Sequence, residues 1–333
     1  MPRALISGIA GQDGSYLAEQ LLAEGYEVIG FDRLLRAAES PNLVDIADHV
    51  DYVQGDLLER GSLRAVLMSA EPDEVYHLAA PTFVPESWDN PSEVMHAIAG
   101  ATAELLAASL EIPKPPRIWL SASSEVFGDP VESPQNEDSS MRPRSPYGVA
   151  KLAALGLGQV MRHHHGLFVA CGLLYNHESP RRPFNFLPRK VTRAAAAIAL
   201  GQKNELVLGD LHAIRDWSDA RDVVRGARLA LRSDIPRDYV LASGHGRTVM
   251  QLVEAAFAAA GISGRVSECV RVDQQLVRPS EAVPLVGNPA RAEGDLGWRR
   301  EITFERMIEE IVDTDITELS IAPELGALGD AAE

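Results

Sequence analysis

Ser7-Gly8-Ile9-Ala10-Gly11-Gln12-Asp13-Gly14 is the stretch on which the reading of this chain turns. The apolar run before it has the composition of a buried strand, and the periodic residues 12–24 after it have the spacing of an amphipathic helix. A G-x-x-G-x-x-G loop between a strand and a helix is the arrangement that cradles a pyrophosphate. Gly8 permits the tight turn, Gly11 lets the backbone approach the anion, and Gly14 lets the helix pack on the sheet. Glycine-rich turns of this kind also serve purely structural ends, and position between strand and helix is what favours dinucleotide binding here.

Working outward, short apolar runs alternate with helical patterns. Strands are expected at 4–7, 27–31, 51–54, 74–77 and 117–121, and helices at 12–24, 62–69 and 91–110. This is βαβ repetition, which builds a doubly wound parallel sheet with ligands at the carboxyl ends of its strands. Pro146 sits where a helix would start, and that helix runs to His165 before a strand at 167–174. Residues 176–189, broken by prolines, read as an ordered binding loop. Helices at 191–200, 220–231, 248–260 and 303–314 and strands at 205–208 and 266–272 follow, and 322–333 reads as a frayed tail.

The expected architecture is therefore α/β: a Rossmann-type doubly wound sheet with a smaller, discontinuous C-terminal substrate domain. Residues 1–175 and about 212–246 make up the dinucleotide part, and 176–211 and about 247–320 the substrate part. A length of 333 residues suits such a chain, and 46% hydrophobic with 24% charged residues indicates a packed core. The formal charge of −17 opposes phosphate attraction over the whole surface, so neither nucleic acid nor an anionic membrane is an expected partner. Cys171 and Cys269 are too few for a disulfide framework, and no targeting or membrane-spanning run is recognisable, so a reducing, cytoplasmic location is expected. No metal site is expected, since His163, His164 and His165 point in different directions at a helix end and have no acidic partner at ligand spacing.

Asp32 ends the second strand, about 20 residues beyond the glycine loop, where a carboxylate meets an adenosine ribose and favours NAD. Arg33 and Arg36 beside it can instead hold a 2′-phosphate, which leaves NAD and NADP both open. Asp56, after the third strand, can meet an adenine amino group or simply cap a helix. Tyr147-x-x-x-Lys151 puts a phenol and an ammonium on one helical face, with Ser123 and Glu125 upstream at a strand end. A phenol titrates near 10, so its use as a base near neutral pH calls for a nearby cation, which Lys151 provides. Arg181, Arg182, Arg189, Lys190 and Arg193 form a run with no acid among them, read as a local anion site, with a solvated basic face as the alternative.

Together the glycine loop, the serine and the Y-x-x-x-K pair resemble the extended short-chain dehydrogenase/reductases, and within them the GDP-mannose 4,6-dehydratase family. The resemblance rests on residues 11–19, 76–80 (Tyr-His-Leu-Ala-Ala), Ser124-Glu125, 176–182 (Asn-His-Glu-Ser-Pro-Arg-Arg), 215–217, 278–281 and 296–298. It implies an internal redox elimination in which the carbon 4 hydroxyl of a GDP-hexose is oxidised, water is lost across carbons 5 and 6, and hydride returns to carbon 6. Ser123, Glu125, Tyr147 and Lys151 would be catalytic, with Glu125 the base at carbon 5. The resemblance also implies NAD or NADP held by Gly8, Gly11, Gln12, Asp13, Gly14, Asp32, Arg33, Asp56, Leu57, Leu78, Ala79, Ala80, Tyr147, Lys151, His177 and Arg182. On the sugar-nucleotide side it implies Thr82, Ser124, Glu125, Asn176, Lys190, Arg215, Arg278 and Glu281, in a homodimer or homotetramer. The chain departs from the family pattern at Ser123, Leu34, Pro81, Phe83 and Pro183, the first a threonine in the family. A nucleotide-sugar epimerase or reductase on the same scaffold, and a binding protein without turnover, are the alternatives.

Overall fold

A computed structural model describes residues 1–276 and 283–321. Seven strands pair in parallel: β1 (Arg3–Ser7), β2 (Glu27–Asp32), β3 (Val50–Gln54), β4 (Glu74–His77), β5 (Arg117–Ser121), β6 (Val169–Leu174) and, later in the chain, β10 (Asp238–Leu241). Their order is β10-β6-β5-β4-β1-β2-β3, so the winding reverses between β1 and β4. The crevice at the carboxyl ends of those two strands is where such sheets take their ligands. The central strands are buried almost throughout because both faces are covered. Leu17, Ala18 and Leu21 of α1 (Gln12–Ala23) and Val223, Val224 and Ala227 of α8 (Ala220–Arg232) pack on one face. On the other lie α2 (Ser62–Ala70), α5 (Ala101–Ser109) and α6 (Pro146–His165), with Leu67, Leu105 and Leu155 in the core.

A separate apolar cluster joins α7 (Leu187–Ala199), α9 (Val249–Ala259) and α12 (Phe304–Ile321) through Val191, Ile198, Val253, Phe257, Ile308 and Ile311. Two small sheets accompany it. In one, β9 (Ile214–Asp219) lies between β7 (Asn176–Glu178) and β11 (Gly246–Thr248); in the other, β8 (Leu206–Leu208) pairs with β12 (Val270–Val272). Asp216 accepts the backbone N–H groups of Ser243, Gly244 and Gly287 at 2.8, 3.1 and 3.1 Å, which draws three segments together beside Arg215.

Several expectations need correction. Residues 176–178, read as loop, form β7, because three residues aligned on β9 register in no periodicity. The following helix starts at Leu187 rather than 191, since Pro188 lies in its first turn, where a missing N–H costs nothing. Residues 266–272 divide into a helical turn, α10 (Val266–Cys269), and β12, because Cys269 is buried in the third cluster at helical spacing from Val266. The helix expected at 91–110 is interrupted. After α3 (Glu86–Asp89), α4 (Pro91–Met95) widens into a π segment at His96–Gly100 before α5. Sequence periodicity missed β9, β10, β11 and α11 (Ala290–Leu296), and α12 continues seven residues beyond the expected 314. The tail 322–333 lies outside the described residues.

Candidate active site

The glycine loop caps the crevice at β1. Gly8 has φ +77°, a left-handed conformation, and a Cβ there would come within 2.8 Å of the Ala79 backbone. At Gly14 the same carbon would sit 2.2 Å from Gly8 O, so loop and helix can touch only because both residues lack side chains. Gly11 differs, since a Cβ there would meet only Gly8 O, at 3.3 Å, and its remaining side is open. It is the N-cap of α1, whose first N–H groups have no side-chain cap. Open space facing orphan N–H groups at a helix N-terminus suits a diphosphate, so the residues present fit a dinucleotide.

Asp13 puts a negative charge beside that anion position. Its carboxylate lies 2.9 Å from Nε2 of His177, while Nδ1 of His177 donates to Tyr175 O at 2.7 Å. Both ring nitrogens thus face acceptors, the arrangement of an imidazolium. Burial works against charge on either group. Even so, His177 carries Asp13 below its ordinary value, and the charge and hydrogen bond of Asp13 carry His177 above its own. Gln12 completes the clasp by donating to His177 O at 3.0 Å and accepting from Ser179 Oγ at 2.8 Å. Two distant segments are thereby joined across the crevice.

Asp32 accepts the N–H of Ala10 at 3.0 Å and that of Arg33 at 2.7 Å, which holds its carboxylate against the glycine loop. The side chains of Arg33 and Arg36 are exposed, and Asp56 accepts from Leu58 N at 2.9 Å, a local turn cap. Leu57 is buried, and Leu78, Ala79 and Ala80 leave β4 half-buried along the crevice rim, with Thr82 exposed beyond them.

Ser123, Glu125, Tyr147 and Lys151 converge at the carboxyl end of β5. Ser145 caps α6 by accepting from Gly148 N at 3.0 Å, and Pro146 opens the helix, which places Tyr147 and Lys151 in its first turns. The Tyr147 hydroxyl is hydrogen-bonded to Ser123, and the charge of Glu125 acts on it. Glu125 N donates to Ser123 Oγ at 3.2 Å, which anchors the turn carrying both residues, with Ser124 buried between them. Lys151 Nζ donates to Ser121 O at 2.7 Å and lies 5.7 Å from the centroid of the Tyr147 ring. Burial pushes Lys151 down to about 8 and Tyr147 up to about 12. For Tyr147 burial is the largest influence, ahead of the hydrogen bond to Ser123.

The basic run also needs correction as a single anion site. Arg189 and Arg193 are buried and turn inward to Asp315 Oδ1 at 2.7 and 3.2 Å. Arg181 pairs with Glu19 and lies over the Tyr16 ring, and Arg182 faces Glu178 at 3.3 Å and stacks on Phe186 at 3.5 Å. Half-buried Lys190 keeps the outward side of α7, with Asn176 on β7 and Arg215 on β9. Arg278 and Glu281 lie outside the described residues. Sequence reasoning used His77 only as part of a motif. Structurally it is buried at the end of β4 and bonded to Ser7, a pairing that only the parallel register of β1 and β4 reveals.

A family model described as GDP-mannose 4,6 dehydratase matches residues 5–311, nearly the whole chain. The chain belongs to that family. It is 37% identical to a GDP-mannose 4,6-dehydratase of Yersinia enterocolitica over 95% of this chain and 94% of that one. It is 38% identical to GDP-mannose 4,6 dehydratase 2 of Arabidopsis thaliana over 94% and 86%. Among solved structures, RMD from Pseudomonas aeruginosa complexed with NADPH superposes with a TM-score of 0.81 at 26% identity, covering 96% of this chain and all of that one. DesIV, a dTDP-glucose 4,6-dehydratase from Streptomyces venezuelae with NAD and TYD bound, shares the fold with a TM-score of 0.79 at 24% identity over 96% and 99%. Members of this family are hydro-lyases working with NAD or NADP, and the convergence of Ser123, Tyr147 and Lys151 beside the glycine loop is consistent with that chemistry. Among the described residues no helix is long and apolar enough to cross a membrane, and no cluster of three His, Cys, Asp or Glu side chains could hold a metal ion.

Proposed function

We propose that this chain converts GDP-mannose to GDP-4-keto-6-deoxymannose by 4,6-dehydration. The observation that carries the reading is Glu125, a second acid–base group within electrostatic reach of Tyr147 yet distinct from it, for which an epimerase or reductase has no need. When bound, the nicotinamide supplies the hydride acceptor at sugar carbon 4 and the hydride donor at carbon 6. Tyr147 removes the proton of the carbon 4 hydroxyl, while Ser123, hydrogen-bonded to Tyr147, polarises the same oxygen. The carbon 4 ketone acidifies carbon 5, Glu125 takes the proton there and passes it to the carbon 6 hydroxyl, and that hydroxyl leaves as water. Asn176, Lys190 and Arg215 are assigned to the nucleotide diphosphate, and residues 1–175 with 212–246 to the dinucleotide part. For the cofactor we propose NAD. Asp32 is held by two backbone N–H groups where an adenosine ribose would lie, and a 2′-phosphate there would meet a fixed anion.

Glu125→Gln tests the reading. The wild type is expected to yield the 4-keto-6-deoxy product with solvent deuterium at carbon 5, and the variant to oxidise carbon 4 without losing water. Full dehydration in the variant would remove Glu125 as the base, a wild-type product that is an epimer or a reduced sugar would indicate an epimerase or reductase, and absence of both product and exchange in the wild type would rule the reaction out.

A further inference from the structure

Beside Lys151 a small cavity, which Tyr147 does not line, is walled by His77, Ala79, Thr102, Ser121 and Lys151 together with apolar side chains. It gives a water's centre about 10 Å³ to occupy, room for one molecule. His77 Nδ1 lies 2.8 Å from Ser7 Oγ. That hydroxyl already accepts the N–H groups of Leu78 at 3.2 Å and Ala79 at 3.3 Å. Its own proton is therefore the one shared with Nδ1, and this hydrogen-bond accounting assigns the ring hydrogen to Nε2. Burial, reinforced by the charge on Lys151, pushes His77 down to about 3, so the imidazole stays neutral at working pH. Lys151 has three N–H donors, of which Ser121 O takes one. Thr102 Oγ1 donates to Ile98 O at 2.7 Å and so retains acceptor capacity for a water's hydrogen on the same wall.

We propose that His77 is a positioning residue for Lys151: its Nε2–H anchors one water in this cavity, and that water accepts a second hydrogen bond from the Lys151 ammonium, fixing Nζ beneath Tyr147. A water oxygen has two lone pairs, and the residues lining the cavity include two donors for it, His77 and Lys151. A protonated imidazole would instead set a second cation against Lys151, which explains why Ser7 holds the ring in its neutral form. The charged and titratable groups facing Lys151 are Tyr147 on its own helix, Asp13 from α1 and His77 from β4. The proposal rests on the catalytic reading of Lys151 for its importance, but not for its test.

The titration of Lys151, followed by NMR of ¹³C-labelled lysine side chains and assigned with Lys151→Arg, needs no turnover. His77→Leu removes the water's anchor and is expected to lower the Lys151 titration by about one pH unit, a roughly tenfold change in its protonation equilibrium. His77→Asn, with an acceptor for Ser7 and a donor for the cavity, is expected to restore it. If His77→Leu does not fold, Ser7→Ala, which releases the tautomer, is expected to shift the titration in the same direction. In the active enzyme the alkaline limb of kcat should move with the titration while KM holds. No shift in either His77 variant, or the same shift in both, would overturn the proposal. A Lys151 shift in a protein without dehydratase activity would leave it standing and reject the reaction instead.

Discussion

The glycine loop at 7–14 and the basic run at 181–193 are both short and compositionally distinctive, yet what fixes them differs. In the loop, each residue acts through its own backbone: Gly8 turns at φ +77°, Gly14 admits the helix, and Gly11 leaves the open side. In the run, meaning depends on counter-charges elsewhere. Arg189 and Arg193 find Asp315, more than a hundred residues away, and serve packing, while Lys190 between them keeps the outward side. A backbone motif carries its function in its own dihedral angles, whereas a run of like charges is only a set of side chains awaiting partners.

The sharpest way to break this contrast is Asp315→Ala. Two buried guanidinium groups would lose their shared carboxylate, at a cost of about 3–5 kcal/mol, read as a lowered midpoint in denaturant unfolding. Lys190→Met on the same helix should stay within about 0.5 kcal/mol of wild type and weaken only GDP-sugar binding. Equal stability of the two variants would erase the distinction within the run. A smaller effect is expected on the loop side. Asp32→Ala removes the carboxylate proposed to hold the ribose and should weaken NADH binding about tenfold by calorimetry while sparing NADPH.

The smallest effect concerns the clasp between Asp13 and His177. The folded value of His177 lies above its ordinary 6.5, so its contribution is whole below 6.5 and is lost as pH rises through the raised value. That of Asp13 lies below its ordinary 3.8, so its contribution is whole above 3.8 and is lost as pH falls through the lowered value. Stability should therefore decline as pH climbs past 6.5, and His177→Asn should flatten that slope. An unchanged slope in the variant would show that the clasp contributes nothing across the crevice.

Much of the site was legible because its spacing is local. Tyr147 and Lys151 lie on one face of α6 as their separation of four demands, and the Ser123–Glu125 turn follows β5 as the alternation of strand and helix implies. The strand β9 was not legible: Ile-Arg-Asp-Trp-Ser-Asp has no clean alternation, since Asp216 is buried to serve three backbone N–H groups. The direction of the Tyr147 titration was not legible either. The neighbouring lysine is visible in sequence, but the burial that pushes the phenol up is not.

By itself the sequence determined the parallel sheet, the glycine turn and the spacing of the side chains proposed as catalytic, because hydrophobic period, glycine dihedrals and helical spacing are properties of contiguous residues. Only the tertiary structure decided that Arg189 and Arg193 turn to Asp315, that Asp13 and His177 neutralise each other, and that His77 and Lys151 share one cavity. Those outcomes depend on burial and on charges brought together across large separations in the chain, and electrostatic energy follows distance and dielectric rather than order along the backbone.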